Sequence, residues 1–362
     1  MATVYSRLVS DDPAVQNAWG VWEKSMPVLF LGGGHRPMPA SRIISLQALR
    51  FVAASLVVVL HSTDVASGMK YPPVLATIGP AGVDLFFVLS GFIIARITSG
   101  ATPIDFIASR LTRIYPLYLF LTVFWMYCLA CLGMFKVAPL FTSLTFIPTN
   151  SAPYLTIAWT LQFEMFFYAV TALVLLRPKI GFLIAVVAYI CALIGNKALG
   201  IRPLHFIGDP LILEFLFGIL IAHTPLSAIA ARWALVASIA GYGFIILVAY
   251  IPLDGIDRPF LCGMPAAALV YAASQFHARG PIWRGIGYLG DASYALYLVH
   301  LIVLYLAALA LKILPLWPTV SIITLFCWAL SMILHEKIEK PAIAYLRGYQ
   351  SRMTKQCGAQ RD

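Results

Sequence analysis

About ten stretches of this chain, each near twenty residues and predominantly apolar, lie near 43–63, 76–97, 114–133, 156–176, 180–197, 207–223, 232–251, 259–276, 291–311 and 317–336. A bilayer core about 30 Å thick is crossed by a helix of about twenty residues. Within that core every backbone N–H and C=O needs a partner in the protein, and a helix supplies these partners along its own length. The pattern therefore predicts an all-α, polytopic membrane bundle of about ten transmembrane helices. Charged residues make up 11% of the chain and mean hydropathy is +0.87, whereas an ordinary soluble domain is about one-quarter charged. The 362 residues are largely consumed by the spans, leaving no room for a sizeable soluble domain.

Orientation follows from the basic residues. With the N-terminus inside, 18 of the 25 Lys and Arg fall in cytoplasmic segments, 6 fall outside, and Arg50 lies within the first span. Positive residues are retained on the cytoplasmic side, so both termini are expected there. The same asymmetry accounts for the net charge of +10. No basic stripe with interleaved aromatics points to nucleic acid. Residues 1–41 are polar, contain Trp19 and Trp22, and lack the apolar core of a cleavable signal peptide. They are expected to form a flexible cytoplasmic tail, followed by a transmembrane domain over 42–341 and a basic cytoplasmic tail over 342–362. No internal repeat stands out, which argues against an inverted-repeat carrier. Cys128 and Cys131 form C-x-x-C within an apolar stretch, without a neighbouring His or Asp or a second cysteine pair, so packing is favoured over metal or redox chemistry. No metal site is expected.

Polar side chains inside the spans carry the functional signal, because burying them in hydrocarbon is costly. In "LRFVAASLVVVLH", Arg50 and His61 are eleven residues apart. On a helix this brings both to one face, separated by roughly 16 Å along the axis. Asp84, in "GPAGVDLFFVLSGFII", is placed at a depth where it could meet His61, and Ser90 and Gly91 add little bulk nearby. Arg110 and Arg113, at i and i+3 in "SRLTRIYPLY", would share a face and suit phosphate, although charge alone makes them ordinary topological anchors. Glu164, in "TIAWTLQFEMFFYAV", is a candidate partner for His61 or Arg50, with Trp159 nearby. In "GDASYALYLVHLIV", Ser293, Tyr297 and His300 form a polar stripe that helix–helix hydrogen bonding would explain as readily as chemistry. Glu214, in "LILEFLFGILIAH", reads as structural.

Taken in order, "LQALRFVAASLVVVLH", "GVDLFFVLSGFII", "RLTRIYPLY", "AWTLQFEMFFYAV", "EFLFGILIA" and "GDASYALYLVH" resemble the acyltransferase-3 superfamily of bacterial membrane O-acyltransferases, in particular its exopolysaccharide-production branch. The resemblance runs from about residue 42 to 341. It implies a multi-pass protein of the bacterial inner membrane that transfers acyl groups other than amino-acyl groups. Acyl-coenzyme A, commonly acetyl, would be the donor, with no tightly bound cofactor. The acceptor would be a hydroxyl of an extracytoplasmic or lipid-linked glycan such as exopolysaccharide, with membrane lipids around the bundle. It further implies that Arg50, Arg110 and Arg113 hold the coenzyme's phosphates. His61 would be general base or covalent acyl carrier, and Asp84 or Glu164 would orient its ring. Ser90, Trp159, Tyr297 and His300 would support substrate. No fused extracytoplasmic hydrolase domain is visible.

The competing reading from the residues is a transporter or flippase of a glycan or lipid, using the buried Arg, His, Asp and Glu as a coupling relay. A non-catalytic scaffold would leave this many intramembrane charges unexplained.

Overall fold

The computed structural model describes residues 44–67, 73–98, 100–199, 206–225, 227–247, 257–276, 280–310 and 315–359. The expected N-terminal tail, with Trp19 and Trp22, lies outside them. Every regular element among the described residues is helical: α1 (Ile44–Ser67), α2 (Pro73–Ile97), α3 (Pro103–Cys131), α4 (Pro139–Thr145), α5 (Trp159–Leu176), α6 (Pro178–Leu199), α7 (Ile212–His223), α8 (Ala228–Leu247), α9 (Met264–Gln275), α10 (Pro281–Asp291), α11 (Ser293–Ala310), α12 (Leu316–Leu334) and α13 (Lys340–Ala359). A 3₁₀ turn, Thr156–Ala158, precedes α5, and π-type turns at Pro259–Gly263 and His335–Glu339 precede α9 and α13.

Among the described residues, six helical segments are long and apolar enough to cross a membrane: Ile44–Ser67, Ile78–Ile97, Pro103–Cys131, Thr156–Leu176, Ala228–Leu247 and Leu316–Gln350. A seventh is formed if α10 and α11, bent by 57° at their junction, make one broken span. The other three expected spans correspond to shorter pieces. The apolar helix in the 180–197 stretch is Ile180–Gly195, that in 207–223 is Ile212–His223, and 259–276 is divided between a π turn and α9. A twelve-residue helix rises only about 18 Å, short of a full crossing. Continuous hydrophobicity cannot distinguish a spanning helix from a shorter one buried among neighbours, which is why the count of ten is finer than these helices support. The protein is a helical membrane protein.

Local chemistry sets several boundaries. Thr102 caps α3, its Oγ1 accepting from the Asp105 N–H at 3.1 Å and donating to Asp105 Oδ2 at 2.7 Å, with Pro103 in the first turn. An N-cap hydroxyl, a proline inside the first turn and an early carboxylate each favour a helix start. The bundle is built around α1, which packs on α2, α10, α11 and α12. Helices α2 and α7 approach to backbone contact. A Cβ at Gly91 would collide with the Phe215 carbonyl, and one at Gly218 with the Val88 carbonyl. Small residues at such crossings permit this closeness in a membrane, where no hydrophobic force drives helices together. Residues 342–359 of the expected C-terminal tail are helical, as part of α13. This helix is fixed to α3 by Gln350 Nε2, which donates to Thr112 Oγ1 at 2.8 Å.

Candidate active site

Two cavities meet at the end of α1 that carries Arg50. The inner chamber, about 110 Å³, is enclosed by α1, α2, α3, α5 and α11 and lined by Arg50, Ser90, Arg110, Arg113, Glu164, Tyr168, Tyr294 and Tyr297. The outer vestibule, about 550 Å³, is lined by Arg50, Arg110, Arg113, Asp291, His335, Lys340 and Arg347 among others. Arg50, Ile93, Arg110 and Arg113 belong to both linings, so three guanidinium groups form the neck between the cavities. The three arginines singled out in the sequence thus converge, although Arg50 comes from α1 and the other two from α3.

Arg113 is held in place. Its guanidinium donates to Glu339 Oε1 and lies 5.7 Å from the centre of the Tyr294 ring. Glu339 is fully buried and its other oxygen lies 2.7 Å from His335 Nδ1. Glu339 was not anticipated from sequence. The signal was the i, i+4 pair of His335 and Glu339 in "HEKIEK", and the π-type turn at 335–339 is the local distortion that brings Glu339 inward to Arg113. Glu164 is likewise anchored, accepting from the Tyr168 hydroxyl at 2.5 Å and from Ser90 Oγ at 3.3 Å. Tyr168 lies one turn from Glu164 in "EMFFY", a spacing visible in the sequence. Of the two partners expected for Glu164, the structure places it in the chamber with Arg50, not against His61.

His61 points into a different environment. Its Nδ1 lies 3.2 Å from His300 Nε2, and the two rings stack with centroids 5.3 Å apart and planes at 24°. His300 is fully buried, whereas His61 is half-buried. Tyr297 stands between this pair and the chamber, since it lines the chamber and its ring centre is 5.7 Å from that of His300. The Tyr297 hydroxyl is fixed at 2.8 Å from both Thr160 Oγ1 and the Ile157 carbonyl. The Tyr297–His300 stripe on α11 therefore supplies both a helix–helix hydrogen bond and the partner of His61. Trp159 lies outside both linings. It is 36% exposed, with its ring against Phe87 and Phe163.

Asp84 does not meet His61. Its Oδ1 accepts from Arg258 Nε at 2.9 Å, and the acid is fully buried beside Glu214, also fully buried. The cause is helical phase. Asp84, Val88 and Gly91 fall at i, i+4 and i+7 and share the α2 face packed on α7. Ser90, which faces the chamber, is six residues from Asp84 and so about 240° around the axis. Depth differs as well: Gly79 on α2 meets Leu60 and Gly82 meets Ala53, so Asp84 lies further along α1 from His61, towards the Arg50 end, than the sequence suggests. Arg258, expected in an outer loop, is the partner that the sequence did not identify.

The described residues thus present a cationic neck, a chamber with an anchored carboxylate, and a histidine pair beyond it. The family profile described as "Acyltransferase domain" matches residues 43–336. Among curated proteins, the exopolysaccharide production protein ExoZ of Rhizobium meliloti (strain 1021) is 34% identical over 251 residues, 62% of this chain and 76% of that protein. Protein 2 in the picA locus of Rhizobium radiobacter is 36% identical over 105 residues, 26% of this chain and 52% of that protein. No solved structure matches the chain.

Proposed function

The chain belongs to the acyltransferase 3 family, and from that premise we propose that it moves an acyl group, acetyl in the first instance, from cytoplasmic acyl-coenzyme A to a hydroxyl of an exopolysaccharide or its lipid-linked precursor. The observation that carries the donor side is the convergence of Arg50, Arg110 and Arg113 at one neck. Guanidinium forks bind phosphate oxygens in pairs, and three of them suit a diphosphate. The pantetheine arm then runs inward along the α1 face towards His61, roughly 16 Å from Arg50 along the helix.

The histidine pair supplies the base. If His61 Nδ1 donates to His300 Nε2, His61 Nε2 keeps a lone pair, and the imidazole can accept the acceptor hydroxyl's proton. The alkoxide oxygen forms its bond to the thioester carbonyl carbon, the C–S bond breaks, and the proton held by His61 passes to the departing coenzyme sulfur. In the covalent alternative the His61 nitrogen attacks first, and the acceptor oxygen then takes the acyl group from it. His300 occupies the position expected of a carboxylate, orienting the ring through a neutral hydrogen bond. Glu164 belongs to the donor chamber, where its fixed charge offsets that of Arg50.

Proteoliposomes containing the full chain, supplied with labelled acetyl-coenzyme A on one side and exopolysaccharide on the other, test the proposal. Covalent label on the glycan, lost in His61→Ala, is the expected result. Glycan movement without label would instead favour a transporter.

A further inference from the structure

Helix α13 lines the outer vestibule with Lys340, Ile343, Ala344 and Arg347. These residues fall at i, i+3, i+4 and i+7, the spacing of a single helical face, so two cations stand about 10 Å apart with a short apolar floor between them. The face is set against the arginine neck, because Gln350 on the same helix bonds to Thr112, between Arg110 and Arg113 on α3. Leu316–Gln350 is 35 residues long, about 52 Å if helical throughout. A bilayer core takes up about 30 Å of that, so the α13 end projects beyond the hydrocarbon into aqueous surroundings.

Charge in the vestibule is strongly one-sided. Among the described residues, Arg50, Arg110, Arg113, Lys340 and Arg347 line it against one carboxylate, Asp291. Arg113 is bound to Glu339, and Lys340 is held by Glu336 and lies 5.0 Å above the Tyr288 ring. Among the described residues, no carboxylate lies within ion-pair distance of Arg50, Arg110 or Arg347. A cavity of about 550 Å³ walled by cations on two sides suits a ligand with two separated anionic groups.

Resting on the proposed coenzyme A donor, we infer that the vestibule is a second phosphate subsite, in which Lys340 and Arg347 bind the 3′-phosphate on the coenzyme's ribose while the neck arginines bind its diphosphate. The arm leaving the diphosphate occupies the inner chamber, so the nucleoside end must lie on the opposite side of the neck, where α13 provides the remaining cationic wall. Ile343 and Ala344 offer the apolar surface for the purine. The α13 stripe thereby selects coenzyme A over otherwise identical donors that lack the 3′-phosphate.

The test is equilibrium binding of coenzyme A and of 3′-dephospho-coenzyme A to the full chain in nanodiscs, which requires no acceptor. The wild type is expected to prefer coenzyme A by about tenfold, the scale of one or two charge-assisted phosphate contacts in water. Arg347→Ala, and Lys340→Ala combined with Arg347→Ala, should weaken coenzyme A binding towards the dephospho value while moving the dephospho affinity less than about twofold. Arg347→Ala leaves the Lys340–Glu336 contact in place, so the result does not depend on disturbing the start of α13. Equal binding of both ligands by the wild type, or equal weakening of both in the variants, overturns the subsite while leaving the donor proposal intact. Binding of neither ligand overturns the donor proposal and the subsite with it.

Discussion

His61 Nδ1 and His300 Nε2 lie 3.2 Å apart on two different helices, with their rings stacked and the second ring wholly buried. A buried neutral imidazole can accept one hydrogen bond and so fix the tautomer of its neighbour without introducing a second charge. Under the proposed chemistry His61→Ala should lower acyl transfer by about 10²–10⁴-fold, the range for loss of a general base. His300→Ala should also lower kcat, whereas His300→Gln, whose amide oxygen can still accept, should recover part of it. Transfer rates for the three variants, normalised to inserted protein, check this. Wild-type kcat in His300→Ala would remove the positioning role.

Glu339 is expected to act on the donor through Arg113. Removing one partner of a buried ion pair typically costs about 3–5 kcal/mol, because the other charge is left uncompensated. The Arg113 side chain is 24% exposed, so the loss should lie at or below the low end of that range. Glu339→Gln should lower the melting temperature in detergent and raise the KM for acetyl-coenzyme A with a smaller change in kcat. Replacing both Arg110 and Arg113 with Lys should raise the same KM while preserving inside charge, since an ammonium group cannot reproduce a two-point fork. Donor KM unchanged in both variants would return the arginines to a topological role.

How far the sequence could be read differs by level. That Arg50, Arg110 and Arg113 belong together is implied by the family resemblance rather than by charge or spacing, and the three side chains do line both cavities. Spans were readable where apolar runs reach full length, as in Ile44–Ser67, but not where a run of similar hydropathy folds as the short helix Ile212–His223. Pairings between helices were not readable. The azimuth of Asp84 depends on which helix meets Gly91, and that is settled by the Gly91–Phe215 and Gly218–Val88 contacts between segments over 120 residues apart. Glu339 was obscured because "HEKIEK" resembles an ordinary charged helix end until the π-type turn places its second glutamate inside.

Asp84 and Arg258 are expected to matter for stability. Asp84→Asn leaves the Arg258 guanidinium facing a neutral partner and should lower detergent stability by about 3 kcal/mol, the scale for breaking a buried pair. Arg258→Leu should be at least as damaging, since it leaves two buried acids, Asp84 and Glu214, without a cation. Combining Asp84→Asn with Arg258→Leu should recover part of the loss. Thermal unfolding followed by size-exclusion chromatography reads these effects. If Asp84→Asn abolished kcat in fully folded protein, the acid would belong to the chemistry after all.

Transmembrane transfer requires the arginine neck on the donor side and the histidine pair nearer the acceptor, so sidedness is the decisive prediction. Lys and Arg in short loops are retained in the cytoplasm, and 18 of 25 lie inside in the expected orientation. Ile104 is 80% exposed at the start of α3, and Ala152 is exposed in the segment that joins α3 to α5. Helix α3 is about 43 Å long, enough to cross a bilayer, so the expected orientation puts the two positions on opposite sides. In a background lacking the six native cysteines, a membrane-impermeant thiol reagent added to intact cells should label Ala152→Cys and leave Ile104→Cys unlabelled until the membrane is opened. A reporter fused after Asp362 should likewise read inside. Labelling of Ile104→Cys in intact cells would place Arg110 and Arg113 away from cytoplasmic coenzyme A. The donor route would then fail whatever the histidine variants showed, because no thioester could reach the chamber from the neck.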